Sequence, residues 1–193
     1  SVGFSTEPDR LLFHAETRSG EVVVSNRADR AFNPASVIKV GTSWWALERL
    51  GPDHRFSTGF GFLGGIEGGS GRIRGALVVT GGGDPDFHME NAFLVARELN
   101  RLGVHTVDGD LVVTGQFWMG WENGAARPAR SEVRRSLMMA GRLRDSLDPR
   151  RWKASETNAW NELCDRRGWD RRRRWAVEVR GETRVSESLS PRP

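Results

Sequence analysis

Ser36-Val37-Ile38-Lys39 sets a hydroxyl and an amine three residues apart. On a helix that spacing is nearly one turn, so both groups fall on one face within reach of a shared hydrogen bond. A serine hydroxyl is a weak nucleophile until a base takes its proton, and a lysine is that base only where burial leaves its amine neutral. Val37, Ile38, Val40, Trp44, Trp45, Ala46 and Leu47 cover most of the circumference of the helix that carries the pair, which is therefore expected to be buried. The start of such a helix also offers backbone N–H groups and the positive end of its dipole to an oxyanion forming beside Ser36. Composition adds a second pointer. The chain has 27 arginines and only 2 lysines, so a lysine facing into an apolar helix is not explained by a need for surface charge, and arginine cannot serve as a base. The four residues alone equally admit a plainer assignment, with Ser36 as the helix N-cap and Lys39 reaching along its stem to solvent.

The elements that must position this pair follow from local pattern. Leu11 to Ala15 and Glu21 to Ser25 flank the turn Glu16-Thr17-Arg18-Ser19-Gly20 and read as a hairpin. Asn33-Pro34-Ala35 opens a helix that runs from Ser36 to about Leu50 and stops at Gly51-Pro52. From Arg55 the glycines become dense, and they are expected to break Phe56 to Ile66 into short extended pieces at a linker or domain crossing. A strand at Gly75 to Thr80, the loop Gly81-Gly82-Gly83-Asp84-Pro85-Asp86, a helix from Glu90 to Leu102 and a strand at Gly109 to Thr114 form a β-loop-α-β unit. Helical periodicity returns over Ser131 to Leu147 and Glu156 to Arg167, followed by a strand at Trp175 to Val179 and a polar, proline-ended tail from Ser186.

At 193 residues, with 37% apolar and 28% charged side chains, the chain suits one domain, or one domain with part of a second. Disordered, collagen-like and disulfide-stapled classes are excluded. No apolar run approaches the eighteen or so residues that span a bilayer, so no transmembrane segment is expected. Ser1-Val2-Gly3-Phe4 carries neither an initiator Met nor a leader pattern, which implies a removed leader or a piece of a longer protein. Cys164 is the single cysteine and permits no internal disulfide. Charge is uneven: residues 1–121 hold 11 basic and 14 acidic side chains, and residues 122–193 hold 18 and 11.

Asn33-Pro34-Ala35-Ser36-Val37-Ile38-Lys39-Val40, followed by Trp45 through Thr58, resembles the active-site helix and following strand of the class C low-molecular-mass penicillin-binding proteins. Two later stretches fit the same family, Gly75 to Phe87 with its Gly81-Gly82-Gly83-Asp84-Pro85-Asp86 and Val107-Asp108-Gly109-Asp110-Leu111-Val112-Val113. The resemblance covers about residues 10–120. It implies an α+β protein with an incomplete β-lactamase/transpeptidase-like fold and a large inserted α/β domain. Residues 1–66 would be the N-terminal part of the catalytic domain and residues 67–193 the inserted domain, incomplete at its C-terminal end. It further implies a serine-type D-alanyl-D-alanine carboxypeptidase or endopeptidase, exported and cell-wall associated. In that reading Ser36 is the acylated nucleophile and Lys39 the general base. Its partners would be peptidoglycan peptides ending in D-Ala-D-Ala, with β-lactams acylating the same serine and no metal or organic cofactor. The family also needs S-x-N and K-T-G motifs. Neither is identifiable: Ser25-Asn26, Lys39-Val40-Gly41 and Lys153-Ala154-Ser155 all fail the pattern. The expectation is thus a fragment inactive alone, with a non-catalytic wall-binding or scaffolding protein of the same fold as the alternative.

Other chemistry is less well supported. The Gly81-Gly82-Gly83 loop fits no phosphate-loop pattern, and Asp84 and Asp86 would repel phosphate, so a tight turn with Asp capping is expected. Asp84, Asp86, Asp108 and Asp110 read as turn carboxylates rather than a cation site. His14, His54, His88 and His105 lack metal-ligand spacing. Arg171 to Arg174, between Trp169 and Trp175, is the one feature suited to nucleic acid, but with no recognisable motif around it the run reads as a solvated loop. Cys164 reads as a small packing residue.

Overall fold

Gly20, at φ 85°, closes the turn that reverses the chain between strands β1 (Phe13–Glu16) and β2 (Val22–Asn26), which pair antiparallel. The computed structural model describes residues 12–67, 69–120 and 131–186. Leu11 of the expected first strand, and the tail beyond Ser186, lie outside the described residues. The chain divides into two units, residues 1–54 and 55–193.

In the first unit a 3-10 turn at Ala35–Val37 leads into helix α1 (Ile38–Leu50), which Gly51 ends at φ 81°. The expectation of a buried helix is corrected. No residue of α1 is buried, and Val37, Val40, Trp44 and Trp45 are between 57 and 72% exposed. A two-stranded hairpin with four or five residues a side is too small to wrap a helix that is apolar on most of its circumference.

The second unit is built on strand β4 (Arg72–Gly82). The long strand β3 (Thr58–Glu67) pairs antiparallel with it along its whole length. This corrects the expectation that the glycines break Phe56 to Ile66 into short extended pieces. Gly64 and Gly75 face each other at positive φ. A side chain on Gly64 would strike the carbonyl of Arg74, and one on Gly75 that of Leu63. Here glycine permits two backbones to approach rather than interrupting a strand.

On the other side of β4 run β5 (Thr106–Val107) and β6 (Leu111–Gln116), parallel and in one unbroken register from Arg72 opposite Thr106 to Gly82 opposite Gln116. Beyond them β7 (Glu178–Val179) and β8 (Thr183–Val185) repeat the arrangement against β5 and β6. The sheet is therefore four ribbons wide. Strand β8 had no counterpart in the sequence reading.

Alternate residues Ile73, Leu77, Val79, Leu111 and Val113 face one buried core. Helix α2 (Met89–Arg101) adds Ala92, Ala96 and Leu99 to it, and helix α3 (Glu132–Leu147) adds Met139, Ala140, Leu143 and Leu147, each set at helical spacing. Asn91 Oδ1 accepts from His88 N at 2.9 Å to start α2. Helix α4 (Ala154–Arg167) begins with Lys153 N donating to Glu156 Oε2 at 2.9 Å and ends on Gly168 in the left-handed region, φ 65°. Its Trp160 is fully buried with Phe93, Leu163 and Cys164 in a second core cluster, against which Trp152, Trp169 and Trp175 pack.

Candidate active site

Asn33 Oδ1 accepts the backbone N–H of Ala35 at 2.9 Å, and Val37 N donates to Pro34 O at 2.9 Å. Between these two bonds Ala35 is held at φ 44°, in the left-handed region, a conformation that costs a non-glycine residue about 1–3 kcal/mol. Ser36 follows at once, inside the 3-10 turn, and Lys39 lies one turn on, in the first turn of α1. Lys39 Nζ donates to Ser36 Oγ at 3.4 Å, and both residues are exposed. Ser36 is not the cap of α1: Val37 occupies that position, with no side-chain capping bond. The strained Ala35 was missed from sequence, since nothing in an alanine signals positive φ. Only the Asn33-Pro34 pair hinted at a tight entry.

The arrangement puts a hydroxyl and an amine in hydrogen-bond contact, which is the geometry a serine nucleophile and a lysine base require, but an amine exposed to water stays protonated and takes no proton. It lacks cover. Among the described residues of the 1–54 unit nothing buries the pair, and the N–H of Val37 is already engaged by Pro34 O, so it is not among the donors an oxyanion could use.

The remaining candidates are occupied by structural duties. Gly83 turns the loop after β4 at φ 80°, and Asp84 Oδ1 accepts from Asp86 N at 2.9 Å. Asp108 takes Arg72 Nη2 at 2.8 Å and Arg180 Nη1 at 3.0 Å. The hydrogen bond from Arg72, with the Arg72 and Arg180 charges, holds its carboxyl below the usual carboxylate range against the opposing effect of burial. Asp110 pairs with Arg184 at 2.7 Å and accepts Glu182 N at 2.8 Å. No group of three or more His, Cys, Asp or Glu side chains among the described residues could hold a metal ion. His14 sits by Ser25 and Glu16, and His88 Nε2 lies 3.1 Å from Asp86. Cys164 is buried, and burial pushes its thiol pKa up, away from nucleophilic use. Among the described residues no helix is long and apolar enough to cross a membrane.

Comparison with known proteins falls on the same segments. The D-Ala-D-Ala carboxypeptidase 3 (S13) family matches residues 12–126. A D-alanyl-D-alanine carboxypeptidase from Actinomadura sp. (strain R39) is 38% identical over 99 residues, which is 50% of this chain and 18% of that relative. A predatory peptidoglycan endopeptidase from Bdellovibrio bacteriovorus superposes with a TM-score of 0.63 at 21% identity, over 93% of this chain and 44% of its own. Its penicillin G-acylated form, in complex with an immunity protein, gives a TM-score of 0.61 at the same identity, over 93% of this chain and 42% of its own. The chain thus spans under a fifth of its curated relative and less than half of these solved structures. The mixed α/β architecture is shared with the covered part of the Bdellovibrio endopeptidase. With the Ser36–Lys39 pair, the Gly81–Asp86 turn and the β4–β6 ladder all inside the matched segment, the chain belongs to the D-Ala-D-Ala carboxypeptidase 3 (S13) family.

Proposed function

We propose that this chain is the N-terminal portion of a serine-type D-alanyl-D-alanine carboxypeptidase, exported to act on peptidoglycan stem peptides. Residues 1–66 contribute to its catalytic domain, and residues 67–193 to an inserted domain. The observation that carries the reading is the 3.4 Å hydrogen bond from Lys39 Nζ to Ser36 Oγ within the family's matched segment. Lys39 takes the Ser36 proton as Oγ attacks the carbonyl of the penultimate D-Ala. The C–N bond to the terminal D-Ala then breaks, its amine takes the proton back from Lys39, and water hydrolyses the acyl-serine. A β-lactam follows the first step only, its ring amide standing in for the peptide.

Turnover needs more than the pair. Lys39 acts as a base only where it is shielded from water, and a substrate carboxylate needs a cationic strand such as K-T-G supplies. The 193-residue chain by itself is therefore proposed to be inactive. Its exposed Ser36 and Lys39 keep a second reading in play, a non-catalytic wall-binding protein of the same fold. Labelling of the native protein with a fluorescent penicillin separates the two. In the carboxypeptidase reading the label is covalent, Ser36→Ala abolishes it, and Lys39→Arg lowers it by about a hundredfold or more, as loss of an acid–base group does. Normal labelling of either variant overturns the residue assignment. No labelling of the native protein favours the wall-binding reading.

A further inference from the structure

Arg97 on α2 and Arg173 and Arg174 before β7 are far apart in sequence, yet they line one concave pocket of about 660 Å³ in the second unit. Trp169, Trp175 and His105 complete its wall. The construction is rigid. Trp160 Nε1 donates to Arg171 O at 2.9 Å, and Asn100 Nδ2 donates to Ala176 O at 2.8 Å while its Oδ1 accepts from Ala176 N, so both ends of the arginine segment are pinned to helices. Trp175 stands edge-on to the buried Trp160 at 5.3 Å, and Trp169 edge-on to Trp175 at 5.3 Å.

Positive charge outweighs negative in this pocket, with Arg97, Arg101, Arg173 and Arg174 against Asp170. Arg101, also at its edge, is committed to Glu98 at 2.6 Å, and Arg171 is held away by Asp165 at 2.6 Å. Asp170 is the one carboxylate in the lining, and its Oδ1 accepts the backbone N–H of Arg172. Among the described residues no carboxylate forms a salt bridge with Arg97, Arg173 or Arg174, although the Arg101 hydrogen bond and charge, helped by the Arg97 charge, hold the Glu98 carboxyl below its usual range. Arg97 is held over Trp169 at 5.1 Å and Trp175 at 5.5 Å, and Arg174 over Trp152 at 5.2 Å. Their guanidinium groups are thus oriented before any ligand arrives.

We propose that this pocket binds a phosphodiester polymer whose backbone is sugar or polyol, taking one phosphate and its neighbouring unit. Three guanidinium groups around a recess suit an anion with several acceptor oxygens, and the volume exceeds what a lone phosphate fills. The indole faces are already occupied, Trp169 by Arg97 and by Arg167 at 5.9 Å, so they offer no platform for nucleic-acid bases. A flat bilayer does not enter a concave recess. The proposal rests on the 55–193 unit and not on the Ser36 assignment, so either can fail without the other.

Isothermal titration of the 193-residue chain with poly(glycerol phosphate) tests it. Binding is expected, weakening as salt rises from about 50 to 200 mM. The double variant Arg173→Gln/Arg174→Gln should bind about tenfold more weakly or worse. Arg97→Lys, which keeps the charge but loses the planar fork, should weaken binding several-fold, and circular dichroism should show both variants folded. Absence of binding, or folded variants that bind as the parent does, overturns the proposal. Equal or tighter binding to oligo(dT), or binding to anionic phospholipid vesicles but not to the polymer, overturns it as well.

Discussion

Replacing Gly81 by alanine should be among the most damaging single-methyl additions available in the second unit. Gly81 lies in β4 between Thr58 of β3 and Gly115 of β6. A Cβ there would sit 2.5 Å from the Gln116 carbonyl carbon and 2.5 Å from Phe117 Cα, and in contact with Gln116 O. All three are backbone atoms, so no side chain can rotate aside, and reaching an ordinary contact near 3.4 Å requires a strand shift of about 0.9 Å. Overpacking of this kind costs about 1–3 kcal/mol. Gln116 O also accepts from Gly83 N at 2.8 Å, and loss of that bond with one ladder neighbour adds about 1 kcal/mol each. The expected loss is about 3–5 kcal/mol. With a urea slope of about 2 kcal/mol per molar, the midpoint read by fluorescence of the buried Trp160 cluster should fall by about 2 M. Gly141→Ala is the matched control. It lies inside α3 with no neighbouring atom within 4 Å of its Cβ position beyond the helix's own backbone, and should stabilise by up to about 1 kcal/mol through helix propensity. A Gly81→Ala midpoint within about 0.3 M of the parent, or a shift of the same sign for both variants, would refute the reasoning.

Asp148 is 3% exposed at the end of α3 and accepts Arg150 Nε at 2.9 Å and Arg150 N at 3.0 Å. Burial pushes its carboxyl up, but the hydrogen bonds and charge of Arg150 outweigh that and leave it below the usual range. A depressed folded value stabilises above the unfolded carboxylate range and is lost as pH falls through it. Asp148→Asn should therefore cost about 1.5–3 kcal/mol at neutral pH, with the gap in urea stability closing below about pH 4; a gap unchanged at pH 3 would mean that charge is not its source. The Cys164 thiol should react with an aromatic disulfide reagent at pH 8 at least about a thousandfold more slowly in the native chain than in urea, since reaction must await opening of the α4 core. Comparable native and unfolded rates would show that the core is open.

Family membership was legible because its carriers are local strings. Asn33 to Val40, Gly81 to Asp86 and Val107 to Val113 each lie on one element or turn, where spacing alone says which atoms meet. The Lys39–Ser36 hydrogen bond belongs to the same class, being fixed by helical rise between residues three apart. The left-handed Ala35 beside it was not legible, because it depends on how Asn33 and Pro34 bind the flanking N–H groups rather than on alanine itself.

Helices α2, α3 and α4 and the β1–β2 turn were determined by the sequence itself, through apolar periodicity, capping groups and glycine placement that act within one or two turns of chain. What the dense glycines of residues 59–75 do was decided only by tertiary structure. Gly64 and Gly75 look like strand breakers until the two backbones are laid side by side, and then each is what lets the other approach. Burial of α1 failed as an expectation for a related reason, since an apolar face states a need for cover while the rest of the fold decides whether cover is present. The arginine pocket is the extreme case. Arg97 and Arg173 become neighbours through the sheet register and the Asn100 bridge to Ala176, interactions between distant segments that no local pattern encodes.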